Sequence, residues 1–297
     1  MDAVTGIFIL NKEEGLTSQS AVNRVKRLFG AEKAGHTGTL DPMATGVLPV
    51  LLGRAVKASE FMLSSDKHYR ATLRLGMTTD TEDTTGEVLS RADTLPTAEE
   101  VFAAADAFRG EILQTPPMYS ALKQNGKKLV DLARAGITVE REPRQITVRR
   151  LTLRQLSPSD YEMDVVCSKG TYIRTLCADI GAFLGVGGVM ASLCRTEAAG
   201  FSLSDAHTLK EAEVLSDEGR RALLFPVERV FLSLPKVTLP PFFARLARNG
   251  APIYQKKIGV SLPEKSRVRL SDADGFFAVA ESREAADGMA FCLLKLF

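Results

Sequence analysis

The segment HYRATLRL, residues 68–75, constrains the fold most strongly because apolar and polar side chains alternate along it without a break. A period of two residues is that of a β-strand with one buried and one solvated face. Tyr69 belongs to the apolar set, together with the alanine and the leucines that follow it. The sequence therefore predicts a half-buried strand in which the Tyr69 side chain points inward.

Helical periodicity occurs as well. In PTAEEVFAAADAFRGE (96–111), Thr97 and Glu100 have the spacing of a capping box, and Gly110 is a stop signal. Residues 161–185, YEMDVVCSKGTYIRTLCADIGAFLG, first alternate like a strand and then place apolar residues at helical spacing after a Ser-Lys-Gly turn. Strands and helices in one chain predict a mixed α/β or α+β domain rather than a bundle or a pure sandwich.

The C-terminal part of the chain differs from the rest. A length of 297 residues suits one large domain, or a main domain with an appendage. From about Leu234, prolines punctuate the chain, and the short runs VRL (268–270) and FFAVAE (276–281) resemble strands. This pattern predicts a small β-rich appendage that begins near residue 234.

Several classes of protein are disfavoured by the composition. No segment approaches membrane-spanning length and no signal peptide is readable, so we expect a cytoplasmic protein. The four cysteines lack CxxC spacing, which predicts free thiols rather than disulfides or zinc ligands. The three histidines form no metal motif, and we expect no metal site.

Charge is unevenly distributed along the chain, although the net charge is only +2. Residues 21–57 contain six Lys or Arg and two acids, and residues 121–154 contain nine and three. Residues 78–100 are the reverse, with one basic residue and seven acids. The two basic segments suit a phosphate backbone, although a solvated face is the commoner meaning of a single charged run.

The stretch HTGTLDP, residues 36–42, contains the one acidic residue between Lys33 and Ser59, which is Asp41. The surrounding glycines and threonines predict a loop, and Pro42 disfavours the helical conformation at Asp41. A turn aspartate is one interpretation. A solitary carboxylate can also act as a nucleophile or proton acceptor at a carbon centre, held ionised by a distant arginine that spacing alone does not identify.

The segment GHTGTLDPMATGVLPVLLGRAVK (35–57) resembles the catalytic motif of the TruB family of tRNA pseudouridine synthases. Further segments match the family in the same order: GLTSQSAVNRV (15–25), KHYRATLRLGMTTDTEDTTG (67–86), QTPPMYSALKQNGKKL (114–129), KGTYIRTLCADIG (169–181) and LCRTEAAGF (193–201). An ordered series of motifs is more specific than any single match.

The resemblance implies an α+β catalytic domain, built on a mixed and mainly antiparallel sheet with the active site in a cleft across it. The segment from about residue 232 resembles the RNA-binding C-terminal extension of these enzymes, often of PUA type. We therefore predict a catalytic domain over residues 1–231 and a PUA-like RNA-binding domain over residues 232–297.

The resemblance also implies a reaction and a set of active-site residues. The family isomerises uridine by breaking the N1–C1′ bond, turning the uracil and rejoining it through C5, without a cofactor. Asp41 matches the catalytic aspartate, which forms an ester with C1′ or removes a ribose proton. Tyr69 matches a tyrosine that stacks on the flipped base and helps to remove the C5 proton, and Arg174 matches the arginine that pairs with the aspartate. Leu193 and Ile173 are expected to form an apolar wall, although both also suit a plain core.

The implied substrate is the T stem-loop of tRNA, with uridine 55 in standard tRNA numbering as the target. His36 matches a histidine near the flipped nucleotide, and the basic segments are expected to hold the phosphates of the RNA. The predicted RNA-binding residues are His36, Lys12, Lys123, Lys127, Lys128, Arg149 and Arg150. We expect neither a membrane nor a metal as a partner, and a monomer.

The chain departs from the family pattern at a few positions. The family usually has KPxG near the N-terminus, where this chain has Asn11-Lys12-Glu13-Glu14-Gly15, so we expect a looser loop. Val189, Cys194 and Val130 replace a histidine, a basic residue and an aromatic residue, which concerns RNA affinity more than chemistry. Two alternatives stay open: a related synthase that acts on other RNAs, and a non-catalytic tRNA-folding chaperone.

Overall fold

The computed structural model describes residues 4–297. It contains eighteen strands within that range: β1 (Gly6–Lys12), β2 (Ala34–His36), β3 (Thr45–Leu52), β4 (Lys67–Leu75), β5 (Met77–Thr79), β6 (Val88–Arg91), β7 (Gly110–Gln114), β8 (Lys123–Gln124), β9 (Lys127–Lys128), β10 (Arg144–Gln155), β11 (Asp160–Cys167), β12 (Gly188–Ala198), β13 (Phe201–Ser202), β14 (Lys236–Thr238), β15 (Ile253–Tyr254), β16 (Arg267–Asp272), β17 (Gly275–Ala285) and β18 (Gly288–Leu296).

The same residues form eight α-helices: α1 (Ser18–Leu28), α2 (Ser59–Met62), α3 (Ala98–Asp106), α4 (Leu129–Arg134), α5 (Ile173–Phe183), α6 (Leu209–Glu213), α7 (Asp217–Ala222) and α8 (Pro241–Arg248). Four short 3-10 helices begin at Gly53, Leu203, Val227 and Gln255. No helix within residues 4–297 is long and apolar enough to cross a membrane.

The largest sheet has nine strands, seven of them in the order β1-β3-β12-β4-β11-β10-β7. Strand β2 pairs with β3, and β13 pairs with β12. Every pairing is antiparallel except that of β12 with β3, where Cys194 lies opposite Thr45 and Arg195 opposite Gly46. The predicted α+β fold with a mixed, mainly antiparallel sheet is confirmed.

Strand β4 lies near the middle of this sheet, between β12 and β11. Its burial alternates as the sequence predicts, with Tyr69, Ala71, Leu73 and Leu75 buried. The predicted capping box is present at the start of helix α3, with Thr97 as the N-cap and Glu100 as the third helical residue. The helix ends at Asp106, four residues before Gly110. Gly110 instead has a φ of 86° and is the first residue of β7.

The C-terminal segment forms a separate five-stranded sheet in the order β14-β16-β17-β18-β15. Helix α8 packs on this sheet and contributes Ala244 and Ala247 to an apolar cluster that includes Val268 and Phe291. A further cluster joins the two sheets, because Ile7 and Phe231 pack with Val279. The predicted β-rich C-terminal unit is present, while the division at residues 231/232 stays a prediction.

Candidate active site

Asp41 lies in the loop of residues 37–44 that connects β2 to β3, which we call the Asp41 loop. The Ser18 hydroxyl, at the start of α1, donates to the Leu40 carbonyl at 2.9 Å and accepts from the Leu40 N–H at 2.8 Å. The Gly15 N–H donates to the Pro42 carbonyl at 2.8 Å. The backbone on both sides of Asp41 is therefore fixed by residues that precede it by more than twenty positions.

Lys12 lies under the Asp41 loop rather than on the protein surface. Its side chain is fully buried, and its ammonium donates to the carbonyls of Glu13, Leu16 and Pro42 at 3.0, 2.8 and 3.2 Å. Burial lowers the pKa of Lys12 to about 8. With its donors directed at carbonyls, Lys12 is not placed to contact an RNA phosphate, which corrects the RNA-binding role predicted for it. The same bonds tie residues 13–16 to the Asp41 loop, where the sequence suggested a looser segment.

Arg174, on the first turn of α5, connects Asp41 to two other segments. Its Nε donates to Asp41 Oδ2 at 2.8 Å, and its terminal nitrogens donate to the carbonyls of Thr81 and Tyr119 at 2.9 and 2.7 Å. The Arg174 side chain is only 5% exposed, whereas that of Asp41 is 37% exposed. A buried guanidinium with all three nitrogens engaged has one orientation, so it presents the partly exposed carboxylate in one place.

Asp83 provides a second carboxylate near Arg174 that the sequence did not reveal. Its Oδ2 lies 3.9 Å from Arg174 Nε, and its Oδ1 accepts from the hydroxyls of Thr81 and Thr85 at 2.7 and 2.6 Å. The side chain is buried. Arg174 therefore lies between a buried carboxylate and Asp41, and only Asp41 is open to a substrate.

Two further carboxyls lie at α5: Glu82 contacts the helix, and Asp179 belongs to it. Glu82 accepts from the Thr175 hydroxyl at 2.6 Å, and burial raises the pKa of Glu82 above its usual range. Burial, with the nearby Glu82 carboxylate, raises the pKa of Asp179 to about 6. These groups are not part of the cleft lining, but burial and their mutual repulsion disfavour the charged form of Asp179.

Tyr69 and Arg195 occupy the opposite side of the Asp41 loop, on the neighbouring strands β4 and β12. The two residues lie directly opposite each other in the antiparallel pairing. Burial raises the pKa of Tyr69, and the adjacent Arg195 guanidinium opposes that rise. The Tyr69 phenol is therefore protonated at neutral pH. Arg195 is almost fully buried, and its Nε and Nη2 donate to the carbonyls of Val47 and Gly38 at 2.8 and 3.1 Å.

These side chains line one cleft of about 620 Å³. Asp41 and Arg174 lie in the same cleft as Tyr69, and Ile173 and Leu193 contribute apolar wall. Residues that the sequence analysis did not single out also line it: Lys67, Tyr119, Tyr172 and Arg195. A small planar ring with polar edges fits such a site, because the lining combines apolar walls with a few charged and polar groups.

His36, at the end of β2, lies beside the cleft rather than in its lining. It is half-buried, and its Nδ1 accepts from the Gly38 N–H at 3.3 Å. Burial, together with the Arg195 guanidinium, lowers the pKa of His36. A neutral imidazole at the rim suits contact with a base or ribose better than pairing with a phosphate.

The predicted phosphate-binding residues lie in two surroundings. Lys123, Lys127 and Lys128 are exposed on the β8–β9 hairpin, residues 123–128, which we call the lysine hairpin. Lys128 also lines the cleft. By contrast, Arg149 pairs with Asp66 and Arg150 with Asp164, so both guanidiniums on β10 already have carboxylate partners. The structure brings Lys128, and neither of these two arginines, into the lining of the cleft, with Lys123 and Lys127 on the same exposed hairpin.

The chain is similar to known proteins over most of its length. The model of the TruB family pseudouridylate synthase N-terminal domain matches residues 26–173, and that of the tRNA pseudouridylate synthase B C-terminal domain matches residues 174–231. The chain is 44% identical over 283 residues to tRNA pseudouridine synthase B of Thiobacillus denitrificans, covering 95% of this chain and 93% of the relative. It is 45% identical over 286 residues to the protein of that name in Stutzerimonas stutzeri, covering 95% and 92%.

Solved structures give a matching fold. A Cbf5-Nop10-Gar1 complex contains a chain with a TM-score of 0.72 and 26% identity, covering 98% of this chain and 84% of that one. The archaeal box H/ACA sRNP Nop10-Cbf5 complex gives the same TM-score at 25% identity, with 98% and 85% coverage. The similarity extends over nearly the whole chain, including the C-terminal sheet.

Proposed function

The chain belongs to the TruB family of pseudouridine synthases, and we propose that it isomerises uridine 55 in the T loop of tRNA to pseudouridine. The single observation that supports this reaction best is the Asp41–Arg174 pair. A buried arginine with three fixed hydrogen bonds holds one partly exposed carboxylate at the floor of a mostly apolar cleft. A carbon-centred displacement needs one such carboxylate, and paired hydrolytic acids would need two.

The reaction begins when the Asp41 carboxylate acts on the ribose of a flipped uridine. It either bonds to C1′ or removes a ribose proton, and in both routes the N1–C1′ bond breaks and its electron pair stays on the uracil. The uracil then turns within the cleft and its C5 bonds to C1′. In the ester route this step breaks the bond between C1′ and Asp41, and in the other route Asp41 returns its proton to the ribose, so the carboxylate is restored in both. C5 then loses its proton and N1 gains one. The product is an isomer of the substrate, so no redox cofactor or group donor is required.

Tyr69 and the apolar walls keep the detached base in place. The Tyr69 ring lies on an inward-facing strand position and offers a surface for stacking, which suits a base that must rotate without leaving. Ile173 and Leu193 limit the space around it. Because the Tyr69 phenol is protonated in the free protein, its first role is stacking, and it can accept the C5 proton only after losing its own.

The RNA must present the uridine outside its stack, because no side chain at the base of the cleft can reach C1′ in a paired duplex. A folded T arm offers such a nucleotide in a loop, and RNA of this kind is recognised by shape and phosphate contacts. The lysine hairpin at the mouth of the cleft supplies exposed positive charge for the flanking phosphates. We propose that a single copy acts on tRNA in the cytoplasm, with the C-terminal sheet as a second RNA contact.

Tritium release tests this function. The substrate is an unmodified T-arm hairpin with tritium at C5 of its uridines, because only formation of the C5–C1′ bond displaces that tritium. The matched control hairpin has cytidine at position 55. We expect one equivalent of tritium from the first hairpin and none from the second. Release from other uridines would favour a synthase with different RNA substrates, and binding without any release would favour the chaperone.

A further inference from the structure

Two arginines are buried among residues 4–297, and only one of them has a carboxylate partner. Arg174 pairs with Asp41. Arg195 is 1% exposed, and within that range no carboxylate oxygen lies within 4.0 Å of it. Its hydrogen bonds go to the neutral carbonyls of Val47 and Gly38. A buried cation without a counter-ion costs several kcal/mol, so its position calls for a physical reason.

The two carbonyl contacts do not require a charge. A neutral amide has two N–H donors and can satisfy two carbonyls as well as a guanidinium does. The positive charge of Arg195 nevertheless reaches its neighbours: burial lowers the pKa values of His36, Lys67 and Lys12, and the Arg195 guanidinium lowers them further. Arg195 therefore places a positive charge in the cleft wall beside Tyr69, with no carboxylate oxygen of residues 4–297 within 4.0 Å of it.

The reaction itself creates a negative charge in this cleft. When the N1–C1′ bond breaks, the bonding electron pair leaves with the uracil as an anion. Asp41 loses its charge in the same step, because it becomes an ester or takes up a proton. Negative charge thus moves from Asp41, which Arg174 holds, to the uracil, whichever route is followed. A charge that appears only during the reaction is stabilised best by a group that is already in place.

We propose that Arg195 stabilises the uracil anion released when the glycosidic bond breaks, acting from the cleft wall beside Tyr69. This inference rests on the proposed isomerase function and adds to it a second arginine with a separate task. Arg174 holds the carboxylate in the ground state, and Arg195 acts on the detached base. Its missing carboxylate partner follows from this task, since a resident counter-ion would cancel the field that the anion requires.

Altering the leaving group distinguishes this role from a structural one. Fluorine at C5 withdraws electrons and makes the uracil anion intrinsically more stable, so cleavage of 5-fluorouridine depends less on an external cation. The C5–F bond blocks the final proton loss but not the cleavage. Single-turnover loss of the substrate nucleoside, measured by nuclease digestion and chromatography, therefore reports cleavage for both uridine and 5-fluorouridine hairpins.

The variants are Arg195→Gln, which retains two donors without the charge, and Arg195→Lys, which retains the charge. We expect Arg195→Gln to slow cleavage of uridine by about 100-fold, and cleavage of 5-fluorouridine by about tenfold or less. Arg195→Lys should show the same ratio of the two rates as the wild type. Because each ratio compares two substrates of one preparation, it does not depend on the fraction of folded enzyme. Arg195→Met replaces the Gln variant if the latter is insoluble.

An equal loss on both substrates would overturn the proposal and leave Arg195 as a structural residue that joins β12 to the Asp41 loop. Unchanged uridine cleavage by Arg195→Gln would overturn it as well. The wild-type enzyme separates this result from a failure of the proposed function. If the wild type forms no pseudouridine, the isomerase assignment fails, whereas an active wild type with an unchanged substrate ratio in Arg195→Gln contradicts only the role of Arg195.

Discussion

The Asp41 loop and the lysine hairpin border the same cleft but are attached to the protein in different ways. Backbone groups of the Asp41 loop are anchored by Ser18, Gly15 and Lys12, and its carboxylate is held by Arg174. The lysine hairpin is exposed along its whole length. Chemistry requires one fixed carboxylate, whereas binding to a flexible phosphate chain does not. We therefore expect changes in the Asp41 loop to affect mainly the rate of reaction, and changes in the lysine hairpin to affect mainly the affinity for RNA.

Apart from replacement of Asp41 itself, removing the guanidinium that holds its carboxylate should have the largest effect. We expect Arg174→Met to reduce turnover by about 10³-fold, because Asp41 loses its partner and Thr81 and Tyr119 lose a donor. The control is Arg154→Met, which breaks an exposed pair with Glu162. Turnover of both variants is measured with saturating tRNA. A loss below tenfold in Arg174→Met would show that the fixed geometry is not needed.

A methyl group added at Gly46, in β3 just after the Asp41 loop, and one added at Gly126 in the lysine hairpin test how tightly the two surroundings are packed. At Gly46, φ is 98° and a Cβ would lie 2.3 Å from the Arg195 carbonyl oxygen. At Gly126 in the lysine hairpin, φ is 81° and no atom lies within 4 Å of the added Cβ. We expect Gly46→Ala to lower the free energy of unfolding by about 3 kcal/mol, and Gly126→Ala by about 1 kcal/mol. Urea unfolding measures both, and equal losses would remove the contrast.

The raised pKa of the Asp179 carboxyl, on α5, predicts a dependence of stability on pH. The pKa of Asp179 is raised from 3.8 to about 6, so the folded protein retains a proton that the unfolded chain releases between these values. The contribution of Asp179 to the free energy of unfolding therefore falls as pH rises from about 4 to about 6. A shift of two units is worth about 3 kcal/mol in a fully buried group, and partial exposure reduces it to about 1 kcal/mol.

Asp179→Asn should remove this dependence. We expect the variant to be more stable than the wild type by about 1 kcal/mol at pH 7.5 and no more stable at pH 4, with Asp106→Asn as an exposed control. Urea unfolding at the two pH values provides the measurement. A gain of equal size at both would show that the charge of Asp179 is not its cause.

The smallest effect is expected in the lysine hairpin. Replacing Lys123 and Lys127 by Gln should weaken tRNA binding and reduce the slope of log affinity against log salt by roughly 1.5, since each phosphate contact contributes about 0.7–0.9. Lys210→Gln, at an exposed site on α6, is the control. Filter binding at several salt concentrations measures the slope. An unchanged slope would mean that these lysines do not contact phosphates.

The local elements could be predicted from the sequence because their signals are local. The alternation of residues 68–75 and the Thr97–Glu100 capping box lie within single segments, and the structure confirms both. The pairing of Asp41 with Arg174 joins positions 133 residues apart. Spacing alone did not identify Arg174, and the resemblance to a family did.

The residues that sequence analysis missed or misplaced depend on tertiary contacts. The sequence suggested that Lys12 is an exposed cation. In the fold its ammonium donates to three carbonyls, which come together only because β1, the following turn and the Asp41 loop are in contact. Arg195 lay within the quoted motif LCRTEAAGF, yet nothing in the motif shows that the side chain is buried without a carboxylate. Strand β12 also has a register shift next to Arg195, so the alternation of its sequence does not predict which face of the sheet the Arg195 side chain occupies.

The central claim is that one fixed carboxylate performs the reaction, and Asp41→Asn tests it most directly. Asn has nearly the same shape as Asp but cannot act as a nucleophile or accept a proton in this step. We predict that the variant binds tRNA with an affinity close to that of the wild type and releases no tritium from a 5-tritiated T-arm hairpin under conditions where the wild type releases one equivalent. Tritium release by Asp41→Asn at a rate within tenfold of the wild type would contradict the account.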